Sequence, residues 1–377
     1  MSEDDRYRTS TQFRLWSYTS QSLLALRSTT NKTAADRVRE AVRRLREARN
    51  VSATNAGEAE NVRAGSAIPP EGEVDCLTVE EELKLVAFYC RETMKLGDHL
   101  KEEKIATNAA KATAIQYIKR FYITNSLMTY HPTDILKTAL FFATKTENHY
   151  FRLTKFADAI GKTKPEDVLA SEFLLTQGLR FTFDVRHPFR ALEGAVMELQ
   201  ALSTRDIPAV PGSGAINGDR PRNMGKRVID AHGKAREYLK TSALLTDVYF
   251  HFTPSQIMLA ALMLADLELM AWYIGIKVPA SMGDQQKRVL STLEKCAAML
   301  RTVDPNSEPS AVERKELQAL AKKLKKCRNP EKMDLVGLQR AKREGEEGID
   351  EKVVKKRKLE KEKSSADDLF GPEIKRV

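Results

Sequence analysis

One pattern in this chain is written twice, and that repeat limits the possible folds more than any other feature. Lys119-Arg120-Phe121-Tyr122 is followed by a short loop, by Pro132 and by the apolar run Ile135 to Ala143. Leu245-Thr246-Asp247-Val248-Tyr249-Phe250 is followed by Thr253-Pro254 and the apolar run Ile257 to Leu264. Pro254 comes 122 residues after Pro132. Proline suits the first turn of a helix, where its missing N–H costs nothing. A helix that is apolar nearly all round has to sit at the centre of a bundle. Each repeat therefore predicts a five-helix unit built round one buried helix, and the chain reads as all-α with two such units in tandem.

The rest of the pattern is helical too. No convincing hairpin signal occurs, and no alternating run is longer than the short stretch from Arg180 to Arg186. A helix is expected between Ser20 and Arg49, and Thr78-Val-Glu-Glu81 is a capping box opening a helix to about Met94. From Glu103, the positions Ile105, Ala109, Ala112, Ile115, Ile118 and Tyr122 mark one buried face. Pro165 opens a further helix ending near Leu179, and Ser310 to Arg328 is helix-forming. Three stretches do not read as core: the Ala/Gly/Glu/Ser-rich linker 50–75, the Pro- and Gly-rich insertion 203–226, and the charged tail 340–377. The expected division is an N-terminal helical extension 1–49, units at 76–185 and 186–303, and C-terminal helices over 304–339.

Several chemistries find no support. The four cysteines stand apart with no C-x-x-C pair, as expected of reduced thiols. No apolar run approaches the roughly 20 residues a bilayer needs. The first five residues are acidic rather than signal-like, so neither a membrane-spanning nor a secreted chain is expected. The six histidines are dispersed, and His131 and His187 each precede a proline, where a loop or capping role is expected. Gly212-Ser-Gly214-Ala-Ile-Asn-Gly218 lacks phosphate-loop spacing and reads as a surface loop. No nucleophile–base pair, metal spacing or kinase glycine loop argues for catalysis, and no cofactor or metal is implied. The net charge of +10 gathers in two clusters, Arg37 to Arg49 and Lys322 to Arg328. Neither has interleaved aromatic residues, so both read as solvated helix faces rather than nucleic-acid surfaces. Lys355-Lys356-Arg357-Lys358 suits a nuclear import signal or a solvated tail.

Two charged residues fall on apolar faces. Lys145 ends the first all-apolar helix, below Phe141 and Phe142, and Glu172 lies four residues after Val168 and three before Leu175. Opposite charges in such places need partners. Periodicity alone leaves two accounts standing: an intramolecular pair, or a surface where another protein docks.

Five stretches, in order, resemble the cyclin family, and specifically its cyclin H branch: Lys119 to Pro132, Phe142 to Glu147, Glu172 to Leu175, His187 to Arg190, and Leu245 to Ile257. Gln12-Phe13-Arg14-Leu15-Trp16 fits as well. The resemblance implies two tandem cyclin boxes with added N- and C-terminal helices. It also implies a non-catalytic nuclear subunit that activates the cyclin-dependent kinase of transcription factor IIH, promoting phosphorylation of the RNA polymerase II C-terminal repeats. A RING-containing assembly subunit and the rest of transcription factor IIH are the further partners implied. Lys145 and Glu172 then hold the kinase's regulatory helix, with Phe142 and Phe181 as apolar contacts beside them. Asn148, where the family usually has a second acidic residue, departs from the pattern, as does the long insertion 203–226. The competing readings are a Mediator or elongation cyclin, or a cyclin-fold DNA-binding factor similar to transcription factor IIB, which needs a zinc ribbon that these cysteines do not form.

Overall fold

In the computed structural model the described residues are 3–55, 74–161, 163–204, 221–278 and 282–338. They are helical, and no strand occurs among them. Residues Met1–Pro330 form one compact unit and Glu331–Val377 a second. In the second, the Gly337 N–H donates to Asp334 Oδ1 at 2.8 Å.

The first unit opens with α1 (Glu3–Arg8), α2 (Thr11–Trp16) and the long α3 (Ser20–Asn55). The first repeat contains α4 (Val79–Glu102), α5 (Asn108–Thr124), α6 (Pro132–Thr146), α7 (Leu153–Ile160), α8 (Pro165–Leu169) and α9 (Glu172–Gly178). The second contains α10 (Phe189–Thr204), α11 (Met224–Lys240), the short α12 (Ser242–Leu245) and α13 (Val248–His251), α14 (Pro254–Ala265), α15 (Leu267–Lys277) and α16 (Gly283–Arg301). Finally α17 (Ala311–Lys326) lies along α4, tied by Lys84–Glu316 at 2.6 Å and Lys323–Glu81 at 2.9 Å.

The caps form where the sequence puts them. Thr78/Glu81, Thr253/Gln256 and Ser310/Glu313 are reciprocal capping boxes, and Pro132 and Pro254 open α6 and α14. The His131 ring accepts the Thr133 N–H at 3.3 Å, so it is a capping histidine as expected. Burial, then Arg328 and Lys325, lower its pKa to about 4.

Other expectations need correction. α3 runs to Asn55, through the start of the expected linker; residues 56–73 of that linker lie outside the described residues. α10 and α11 cover both ends of the expected insertion, of which 205–220 lie outside the described residues, as does the tail from 339. α4 continues past Met94 because Gly97 does not break it. Gly97 lets the Lys111 side chain cross so closely that a Cβ would sit 2.6 Å from Lys111 Cγ.

The helix expected from Glu103 starts only at Asn108, because Lys104 takes a left-handed conformation at φ 58°. It then buries every residue from Ala110 to Ile123, not one face, and so rivals α6 as the central helix. Its charged residues hid this. Lys119 and Arg120 are buried because they find partners inside the protein.

The helix expected from Pro165 to Leu179 is two helices broken at Ala170–Ser171. A continuous helix would use the Val168 carbonyl to accept the Glu172 N–H. Here Thr138 Oγ1 of α6 donates to that carbonyl at 2.7 Å instead.

One hydrophobic core runs through both repeats, and a smaller cluster of Trp16, Leu23, Ile123 and Phe250 joins α2, α3, α5 and α13. Full burial of side chains this size contributes about 1.5–3 kcal/mol each, so the N-terminal helices are part of the packed unit rather than an appendage. All four cysteines are free and buried, and burial pushes the thiols of Cys90, Cys296 and Cys327 up to about 12. Among the described residues no helix is long and apolar enough to cross a membrane.

Candidate functional site: a charged pair between two helix ends

Lys145 lies in the last turn of α6 and Glu172 is the first residue of α9. Each charge suits its helix terminus, a cation at the C-terminal end and an anion at the N-terminal end. The break at Ala170–Ser171 creates that second terminus. Lys145 Nζ donates to Glu172 Oε1, and the two side chains stay 31% and 26% exposed. The intramolecular pair therefore exists, yet it is not sealed from outside. An ammonium has three donors and a carboxylate two oxygens, so each group keeps capacity for a second partner.

Beneath the pair lies an aromatic floor. Lys145 Nζ is 4.9 Å from the Phe141 ring centroid and 5.4 Å from that of Phe142. Phe142 packs edge-on against Phe183 at 4.9 Å and touches Tyr117 at 5.8 Å. Phe142 is only 8% exposed, so it supports Lys145 from below and presents little surface of its own. Phe181 is different: it is 62% exposed. Two exposed aromatic residues on the same helix ends escaped the sequence reading, Phe173 beside Glu172 and Tyr150 just after α6. Their position one and five residues from the two charges was the available signal.

Both helices close without a glycine at the left-handed position. His149 N–H donates to Thr144 O and Asn148 N–H to Lys145 O, closing α6 around Asn148 at φ 57°. This is a Schellman closure, and asparagine tolerates the left-handed conformation that it requires. α9 ends the same way, with Phe181 N–H to Thr176 O and Arg180 N–H to Gln177 O; both Arg180 and Phe181 have positive φ. Gly178 is required here: a Cβ would lie 2.5 Å from Cδ2 of Phe121 on α5.

The site is also wired to the second repeat. Thr113 Oγ1 donates to Glu147 Oε1 at 2.6 Å and lies 2.8 Å from His187 Nε2, while His187 Nδ1 lies 2.9 Å from the Tyr249 hydroxyl. With the Thr113 proton committed to Glu147, His187 Nε2–H donates to Thr113 and Nδ1 accepts from Tyr249, which assigns a neutral imidazole. Burial, with Arg120 nearby, lowers the His187 pKa to about 3, in keeping with that assignment. His187 thus sits in the loop before α10, as expected, half-buried and held by side chains of both repeats.

Part of each basic cluster is paired. Arg43 pairs with Glu47 and Arg44 with Glu40 on α3, while Lys323 and Arg328 reach Glu81 and Asp134 of the first repeat.

Residues 187–301 match the family described as cyclin C-terminal domain. The chain is 34% identical to cyclin CCL1 of Saccharomyces cerevisiae over 286 residues, covering 76% of this chain and 64% of that protein. It is 31% identical to cyclin mcs2 of Schizosaccharomyces pombe over 326 residues, covering 86% of each. The match thus spans just under two thirds of the first relative's length. Among solved structures, the chain is similar to one in the CAK complex of Chaetomium thermophilum bound to ATP-gamma-S, with a TM-score of 0.74, 40% identity, and coverage of 93% of this chain and 98% of that one. Two tandem all-α repeats, matched over most of their length by named cyclins, leave one family: this chain is a cyclin, of the cyclin H type.

Proposed function

We propose that this chain is the regulatory, non-catalytic cyclin subunit of a CDK-activating kinase module, and that it docks the cyclin-dependent kinase of transcription factor IIH through Lys145 and Glu172. The observation that carries this reading is the part-exposed ion pair joining the ends of α6 and α9 over an aromatic floor. The likeness to a chain of a CAK complex supports it. Phe181 is the apolar contact beside the pair, and Phe142 backs Lys145.

The mechanism is a population shift. An active kinase needs its strand lysine paired with a glutamate on its regulatory helix. A cyclin that binds the helix-in form more tightly than the helix-out form raises the helix-in population by that ratio of affinities, with no chemistry of its own. Phosphorylation of the RNA polymerase II C-terminal repeats is the outcome. A RING-containing assembly subunit and the rest of transcription factor IIH complete the partners, and the setting is nuclear. Within the chain, the first box spans 76–185 and the second 186–303, flanked by the extension 1–49 and the C-terminal helices 304–339.

The test is co-purification with the kinase and activity on a polymerase-tail peptide, comparing wild type with a Lys145→Glu/Glu172→Arg double variant. The swap keeps an internal pair and reverses the polarity shown to the kinase. Activation by wild type and loss in a folded double variant is the expected result. A fully active double variant would sink the assignment of these two residues, and an inactive wild type would sink the kinase partner.

A further inference from the structure

No alternating run in the sequence is longer than residues 180–186, yet they pair with no strand among the described residues. Their alternation is used by the N-terminal helices instead. The Arg180 guanidinium carbon lies 5.1 Å from the Trp16 ring centroid. Thr182 Oγ1 accepts from Trp16 Nε1 at 2.9 Å. The Asp184 carbonyl accepts from Arg120 at 3.3 Å, and Arg120 itself lies 5.1 Å from the Trp16 ring. The Arg186 N–H donates to Gln12 Oε1 at 2.6 Å. Every second residue is therefore held by α2, or by the buried arginine that α2 covers. Of the alternate residues, Phe183 packs on Phe142 beneath Lys145, Val185 is buried, and Phe181 stays exposed.

The segment needs such a strap. Arg180 and Phe181 both have positive φ, at 53° and 54°, a conformation that non-glycine residues hold only when the surroundings impose it. Trp16 supplies two of the restraints directly and backs a third through Arg120, and it is 1% exposed, so no docking partner touches it.

We infer that Trp16 is a positioning residue: through Arg180, Thr182 and Arg120 it holds the Arg180–Arg186 segment in the shape that presents Phe181 beside Lys145 and Glu172. This rests on the docking reading above. A segment that populates the competent shape only part of the time weakens apparent affinity by that fraction.

The test uses the full chain and the same kinase, with two readouts: kinase affinity, and amide hydrogen exchange over residues 179–186. Trp16→Leu should bind about tenfold more weakly, as when roughly a tenth of the segment stays competent. Exchange over 179–186 should quicken while the amides of α4 and α6 keep wild-type rates. Trp16→Phe, which keeps a ring for the two guanidinium groups, should recover most of the affinity. Where Trp16→Leu fails to fold, Thr182→Val carries the test, with an expected loss of about threefold for one hydrogen bond removed. Wild-type affinity in the folded variant overturns the inference. So does weakened affinity with unchanged exchange, because positioning acts through the segment. Absence of kinase binding by wild type removes the docking reading itself, and quickened exchange in Trp16→Leu would then still show that Trp16 holds the segment.

Discussion

Lys119 Nζ, on the most buried helix of the first repeat, lies 3.6 Å from Asp247 Oδ1 of the second. The same ammonium donates to the carbonyls of Leu244 and Thr246, and Arg27 of α3 grips Asp247 with two nitrogens at 2.7 and 3.0 Å. Both repeats and the N-terminal helix thus meet at one half-buried anion. Burial pushes the Lys119 pKa down. Burial also opposes ionisation of Asp247, but Lys119 and Arg27 outweigh it and hold that carboxyl well below the usual range.

Removing the anion should hurt more than removing the ammonium. Asp247→Ala leaves Lys119 buried and short of its counter-charge, a loss of about 3–5 kcal/mol. Lys119→Met removes a buried cation while Arg27 still satisfies Asp247, so its cost should be smaller. Urea denaturation of the two variants orders them, and an equal cost would mean that Asp247 does not act through Lys119.

Acid should weaken the fold through His187. Its folded pKa is about 3, below the unfolded value near 6.5, so the unfolded chain takes the proton first. Stability from this neutral imidazole is complete above about 6.5 and is lost as pH falls toward 3. Between pH 7 and 5 the loss should be about 2 kcal/mol, at 1.36 kcal/mol per pH unit below the unfolded pKa. Chemical denaturation at both pH values, with His187→Gln alongside, measures this. The variant should be weaker at pH 7 and change less between the two.

At the candidate docking site, charge can be altered with little damage to the fold. Lys145→Glu sets two carboxylates together at a part-exposed position and puts an anion at a helix C-terminus, costing about 1 kcal/mol. Circular dichroism should report a folded variant while kinase activation falls. An unfolded variant would mean that the pair is chiefly structural.

Gly178→Ala should be costly for a residue at a helix end. Its methyl group would press on the Phe121 ring, and overpacking of this kind costs about 1–3 kcal/mol. Thermal unfolding of the variant reads the loss, and a Tm equal to wild type would show that α9 moves freely off α5.

Where the repeat, the prolines and the capping boxes are concerned, local chemistry was enough. A proline at a first turn and a Ser/Thr with Glu or Gln three residues on act within one turn of helix, so α4, α6, α14 and α17 begin where their residues dictate. Lys145 and Glu172 were legible as two misplaced charges, with a mutual pair as one of two accounts; only the fold brings them together across 27 residues.

By itself, the sequence determined that this chain is all-helical, repeats once, and carries opposite charges at two apolar helix faces. Only the tertiary structure decided that α5 is wholly buried despite Lys119 and Arg120, that α8 and α9 break where Thr138 takes the Val168 carbonyl, and that residues 180–186 are strapped by Trp16. The reason is range. Periodicity and capping record what a residue does to neighbours a turn away, whereas a buried charge, a diverted carbonyl and an extended segment depend on groups tens to hundreds of residues distant, which meet only once the chain has folded.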